Sequence, residues 1–302
     1  MNPAKPTSLN TSLNTALPAL VLLLDSGNSR LKCRCIQTQT GALYQQFSRA
    51  NHELELMVDD LRQLLGRVVG IHAVAVTSHE LKQTIEQVLQ QALGLACPPV
   101  QWHHSAQRSQ VLRNHYEPIH HLGNDRWFGM IGVLSHARPA GAQLAEQVMS
   151  KPILYISFGT ATTIDTIVGQ DFLGGLIFPG VDLMQQSLKQ GTAQLPLVAI
   201  GADTPVDSFP RGTQAAIIAG IVAAQVGAIM RQCLLIQEQH QVYPDIYVAG
   251  GARAGILPEL RRMLNRLELL SPSQQASITI HELEAPVLDG LHYHYMNDYL
   301  GK

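Results

Sequence analysis

Asp25 closes the apolar run VLLLD (21–25) and is followed by Ser26, Gly27, Asn28 and Ser29, with Lys32 close behind. A carboxylate at the end of a buried strand holds Mg2+ directly or through water, and glycine lets backbone N–H groups approach a phosphate. A second apolar run, LYISF (154–158), repeats the pattern: Gly159 ends it, and Thr160, Thr162 and Thr163 lead to Asp165. Two such turns, one in each half of the chain, predict a duplicated fold that clamps a nucleotide between its halves. Each turn alone also reads as a plain hairpin, with Asp25 as turn former and the threonines as strand residues. The doublets Gly174–Gly175 and Gly250–Gly251 follow apolar stretches. They suit close backbone approach or a simple turn.

The segment NHYEPIHHLGNDRWFG (114–129) differs in kind, because it gathers Tyr116, Asp125 and Arg126 at a loop-to-helix junction. Asp125 can accept a proton from an alcohol, and Arg126 can hold a carboxylate in bidentate fashion. The plainer alternative is a surface ion pair, with Asn124 or Asp125 capping the helix that follows.

The elements that must position these groups show in the apolar periodicity. Strands are predicted at 21–25, 31–37 and 41–48, a helix over 53–66, a buried strand at 71–78 and a helix over 79–94 ended by Gly94. A helical stretch runs from about 125 to 149, interrupted by Pro139 and Gly141. The second half begins again with strands at 152–158, 163–169 and 171–180, helices near 181–190 and 212–235, and a strand in PDIYVAGGAR (244–253). The recurrence of meander, then helix, predicts an N-terminal domain over 19–150 and a C-terminal domain over 151–302, after a disordered leader at 1–18.

At 302 residues, 46% hydrophobic and only 15% charged, the chain can build substantial cores, with surface to spare for a subunit interface. A net charge of −2 and no cationic stripe argue against duplex nucleic acid as a partner. Cys33, Cys35, Cys97 and Cys233 show no metal spacing and read as reduced thiols, with Cys33 and Cys35 expected on opposite faces of their strand. No apolar run approaches the ~20 residues of a membrane span, and residues 1–18 lack the core of a signal peptide. The expectation is a cytoplasmic protein without membrane contact.

Taken in order, the segments resemble the type III pantothenate kinases of the acetate and sugar kinase/actin superfamily. The first signature, D-x-G-N-[ST]-x-x-K, is met by Asp25, Gly27, Asn28, Ser29 and Lys32. Tyr116 with Gly123, Asp125 and Arg126 matches the substrate segment, and Gly159 to Asp165 matches G-T-A-T-T-x-D. Gly174 to Gly180 matches G-G-x-I-x-P-G, and Thr213 to Gly220 matches T-x-x-A-I-x-x-G. The double glycine at Gly250 and the closing APVLDGL (285–291) complete the set.

The resemblance implies an α/β fold of two tandem ribonuclease-H-like (actin-like ATPase) domains with the nucleotide cleft between them. It implies ATP-dependent phosphorylation of pantothenate. ATP would meet Asp25, Ser26, Gly27, Asn28, Ser29, Arg30, Leu31, Lys32 and Thr160. Pantothenate would meet Tyr116, Gly123, Asn124, Asp125, Arg126 and Thr213, with Asp125 as proton acceptor. Magnesium would sit at Asp25, and a homodimer would complete the pocket across its interface. One position departs from the family, which commonly has aspartate where Ser157 stands, at a site for K+ or NH4+. A neutral hydroxyl is a weaker cation ligand, so blunted potassium dependence is expected, while Asp25 and Asp165 remain for magnesium. Two rivals are another small-molecule kinase of the superfamily and a non-catalytic accessory protein.

Overall fold

The computed structural model describes residues 17–138, 151–191, 195–270 and 278–299. Its first strand, β1 (Leu20–Ser26), is buried along its whole length because helices cover both faces of its sheet. Leu20, Leu22 and Leu24 point to one core while Val21 and Leu23 point to another, as the two-residue period of a strand requires. Strands β2 (Arg30–Gln37) and β3 (Leu43–Ala50) continue as an antiparallel meander. After α1 (Met57–Arg62), strand β4 (Val68–Ala75) lies parallel to β1. Helix α2 (His79–Leu93) opens with Ser78 Oγ accepting from the Leu81 amide at 3.3 Å, and Gly94 ends it at φ 66°. Strand β5 (Val100–His103) completes the sheet order β3-β2-β1-β4-β5.

The chain then lays the short β6 (Arg113–Asn114) on the edge of the other sheet and forms α3 (Asn124–Ala137). The second sheet repeats the first. Strands β7 (Ile153–Phe158), β8 (Ala161–Val168) and β9 (Asp171–Pro179) form the meander. They are followed by α4 (Val181–Gly191), α5 (Thr213–His240), β10 (Asp245–Ala249), α6 (Arg253–Leu270), β11 (Ile280–Glu282) and α7 (Pro286–His294). Its order is β11-β10-β7-β8-β9-β6, the same arrangement as the first sheet with β6 added at the edge.

Three cores separate five layers. The outer core of the first sheet packs α1 and α2, and that of the second packs α4, α5 and α6. The middle core holds α3 and α7 between the inner faces of both sheets, with Trp127 and Phe128 buried there. Gly132 and Gly290 let α3 and α7 cross in backbone contact: a Cβ on Gly132 would lie 2.9 Å from the Gly290 amide and inside the Pro286 carbonyl.

Several expectations change. The helix read over 53–66 is a 3-10 turn at Asn51–Leu56 followed by the short α1, with turns beyond it. The strand read at 71–78 runs from Val68 and stops at Ala75, because Ser78 is taken by the cap of α2. Cys33 and Cys35, two residues apart, share one face and lie together in the outer core. The expected leader falls almost wholly outside the described residues, as does the helical stretch beyond 138. Against the expectation that no segment approaches a membrane span, α5 is long and apolar enough by length and composition alone, a property that core helices share. The sequence hid it because polar Gln225 divides its apolar residues. In the fold Gln225 is fully buried, donating to the Pro179 carbonyl at 3.0 Å, and the inner face of α5 fills the second outer core.

Candidate active site

The β1–β2 hairpin sets Asp25 opposite Lys32. Opposed residues of an antiparallel pair share a face, and Lys32 Nζ lies 3.3 Å from Asp25 Oδ2. Lys32 therefore stands on the same face of the hairpin as Asp25. Burial raises the Asp25 pKa, Lys32 opposes that, and the negative charge of Asp125 adds to the rise. Behind the turn, Asn51 Nδ2 donates to the carbonyls of Gly27 at 3.0 Å and Asn28 at 2.8 Å. Sequence reading missed this residue, whose signal was an amide side chain just past the third strand of the meander.

Asn28 and Ser29 stand exposed at the tip, and Ser29 Oγ lies 3.5 Å from Thr160 Oγ1 in the second turn. Thr160 is fixed in turn by the Gly180 amide, which donates to its carbonyl at 3.0 Å. The two glycine turns thus meet. The remaining residues of the 25–32 stretch serve the hairpin: Ser26 pairs its hydroxyl with Thr77 at 3.2 Å, Arg30 Nε donates to Ser48 Oγ at 2.9 Å, and Leu31 is a core side chain.

Helix α3 carries the acceptor segment. Asn124 Nδ2 donates to the Ala75 carbonyl at 3.0 Å and its Oδ1 accepts from the Ser105 amide at 2.8 Å, tying the helix start to the end of β4. Asn124 is a tether. Gly123 leaves room for the Asp125 carboxylate, which a Cβ there would meet at 2.7 Å. Asp125 Oδ1 accepts the Arg126 amide at 2.9 Å. Burial raises the Asp125 pKa, while the backbone N–H groups and the charge of Arg126 hold it down.

Arg126 is buried. Its Nε donates to Asp165 Oδ1 at 3.0 Å and Nη2 bonds to the same oxygen. Asp165 is therefore committed to Arg126, which corrects the expectation that it remains for magnesium. The same guanidinium lies 5.3 Å from the Tyr116 ring and 5.6 Å from that of Phe172, and these rings stack with centroids 6.0 Å apart. Burial raises the Tyr155 pKa, and the negative charges of Asp125, Asp165 and Asp25 add to the rise. Ser157 follows Tyr155 by two residues on β7, so both side chains share one face of that strand. Thr213 stands apart: it opens α5 and lines a cavity of about 610 Å³ with Met184, Leu188, Leu195, Ile217 and Ile221. No described contact joins Thr213 to Tyr116, Asp125 or Arg126.

The chemistry available is phosphoryl transfer to an alcohol: paired donor turns, one carboxylate beside a cation at Asp25, and a second, half-buried carboxylate at Asp125. Comparison with known proteins agrees. The sequence pattern of the type III pantothenate kinase family matches residues 21–234. A Bordetella petrii protein named type III pantothenate kinase is 39% identical over 277 residues, covering 90% of this chain and 96% of its own. Relatives of the same name from Bordetella bronchiseptica and a Janthinobacterium species are each 36% identical, covering 90% and 83% of this chain and 96% and 94% of theirs. With the paired turns, the acceptor segment and these likenesses together, this chain belongs to the type III pantothenate kinase family.

Proposed function

We propose that this protein transfers the γ-phosphoryl group of ATP to the primary hydroxyl of pantothenate, giving 4'-phosphopantothenate in the first step of coenzyme A biosynthesis. The observation that carries this reading is the meeting of Ser29 with Thr160 beside the Asp125–Arg126 segment, inside a chain of this family. Asn28, Ser29 and Thr160 bind the phosphates, with Lys32 adding positive charge beside Asp25. Asp125 orients the acceptor hydroxyl and takes its proton late. An alcohol is too weak an acid for a carboxylate to ionise beforehand, and a loose phosphoryl-transfer transition state asks for little proton transfer early. Tyr116 and Arg126 hold the remainder of the acceptor.

Asp25 fits magnesium: it is a hard oxygen donor at a strand end, and magnesium keeps several waters and nucleotide oxygens instead of demanding an all-protein cage. Among the described residues no group of three or more His, Cys, Asp or Glu forms such a cage. Bound magnesium would neutralise phosphate charge. Ser157 does not fit a carboxylate-based site for a monovalent cation, since a neutral hydroxyl is a far weaker ligand than a carboxylate, and we place this chain among weakly potassium-dependent members. Two copies pair along the outward face of α5, where Ala216, Gly220, Ala223 and Gly227 are exposed. Four free cysteines suit a reducing cytoplasm. The test is ADP release with pantothenate against a panel of sugars and carboxylic acids. Turnover with a sugar and none with pantothenate would overturn the proposal.

A further inference from the structure

Arg126 sits in the first turn of α3, next in sequence to Asp125, and only 4% of it is exposed. Its partner Asp165 is 0% exposed, in the middle of β8. A buried guanidinium without its carboxylate is strongly disfavoured, so this pairing decides where the Arg126 side chain can rest. The strand opposite makes room for it. Gly175 faces Asp165 in the β8–β9 register, and a Cβ there would lie 2.6 Å from Asp165 Oδ1, 2.9 Å from Arg126 Nη2 and against the Ile164 carbonyl. The ion pair occupies the space that any side chain at position 175 would need.

We propose that Asp165 is a positioning residue for the reaction: by holding Arg126 through the Nε and Nη2 edge it fixes the first turn of α3 and, with it, the aim of the Asp125 carboxylate. The same grip leaves Nη1 as the guanidinium nitrogen without a bond to Asp165, so Arg126 meets the acceptor through its outer side. The bidentate clamp expected of a free arginine is already spent on Asp165. Asp165 itself touches no substrate in this arrangement. The inference rests on the functional reading above and deepens it.

The test uses the full chain with Asp165→Asn, Arg126→Lys and the double variant, compared by steady-state kinetics for both substrates. Misplacement of a catalytic group by an ångström costs about a hundredfold. Asp165→Asn is expected to lower kcat/KM for pantothenate by about that factor, with both kcat and KM affected and KM for ATP little changed. Because both residues act through one ion pair, the loss in the double variant is expected to fall well short of the product of the two single losses. Losses that multiply in the double variant, or an Asp165→Asn enzyme within about twofold of wild type, would overturn the proposal.

A second measurement needs no folded variant at position 165 and no turnover. In wild type the Arg126 Nε–H nuclear magnetic resonance signal, assigned by its loss in Arg126→Lys, is expected to be protected from water exchange and to move when pantothenate binds. An Nε–H in fast exchange sinks the seating. Wild-type protein that leaves pantothenate unphosphorylated sinks the functional reading instead, while a protected signal still upholds the grip of Asp165 on Arg126.

Discussion

Ser29 and Thr160 stand 131 positions apart in the chain, and their hydroxyl oxygens lie 3.5 Å from each other. Each is at the tip of a turn that closes the first hairpin of its sheet. Under the proposed function, phosphates bound there would have to part or bridge the two hydroxyls. The contact is exposed and contributes little stability by itself. Its value lies in what it reports, namely the closeness of the two loops.

Asp125→Asn keeps the shape of the side chain and removes its capacity to take a proton. General-base groups contribute about a hundredfold to ten-thousandfold, and a loose transition state puts this one at the lower end. The expected result is kcat lowered by about a hundredfold with KM for pantothenate changed by less than about threefold. Unchanged turnover removes Asp125 from the mechanism.

Acid should silence the enzyme before ordinary carboxylates titrate. Asp165 is pushed up to about 6, chiefly by burial and with Arg126 pulling it back, and Asp125 is raised by burial as well. Both act as carboxylates, and a raised pKa brings protonation in at higher pH. The kcat/KM for pantothenate should therefore fall as pH drops through about 6. A profile flat down to pH 5 contradicts this.

How much of this could be read from the residues alone follows from how far each signal reaches. The turns at Asp25 and Gly159 were legible because a glycine and polar groups interrupt an apolar run locally. The fate of Arg126 was not, since it sits on a helix and its partner lies 39 positions away on a strand of the second sheet. Leu31 was legible in principle: it alternates with Lys32 and Arg34 and shares the inward face of Cys33 and Cys35. Strands β5 and β11 span only four and three residues, too short to show a period, and pair only because longer parallel neighbours offer an edge.

Ser157→Asp restores a charged oxygen beside Tyr155. Wild type is expected to work about equally well in potassium and sodium chloride, within about twofold, and the variant to gain saturable activation by potassium. Strong potassium activation of wild type would show that neutral oxygens suffice.

Ala223→Glu places a charge on the outward face of α5. If two copies pair there, light scattering should show the variant at half the mass of wild type, and phosphorylation of pantothenate should fall with it. A variant of unchanged mass moves the interface elsewhere.

The glycine crossing of α3 and α7 binds the middle of the chain to its last helix. Helix α7 enters from positions 286–294, yet it covers the inner face of the sheet begun at Leu20. On a ribosome, that first sheet would emerge with one side uncovered and wait for residues 286–294 to cover it. The helix bearing Asp125 rests against the same late-arriving partner. A nascent chain would therefore complete the seat of the helix that bears Asp125 only once residues 286–294 had emerged, and a product ending before them would leave that helix without its packing partner.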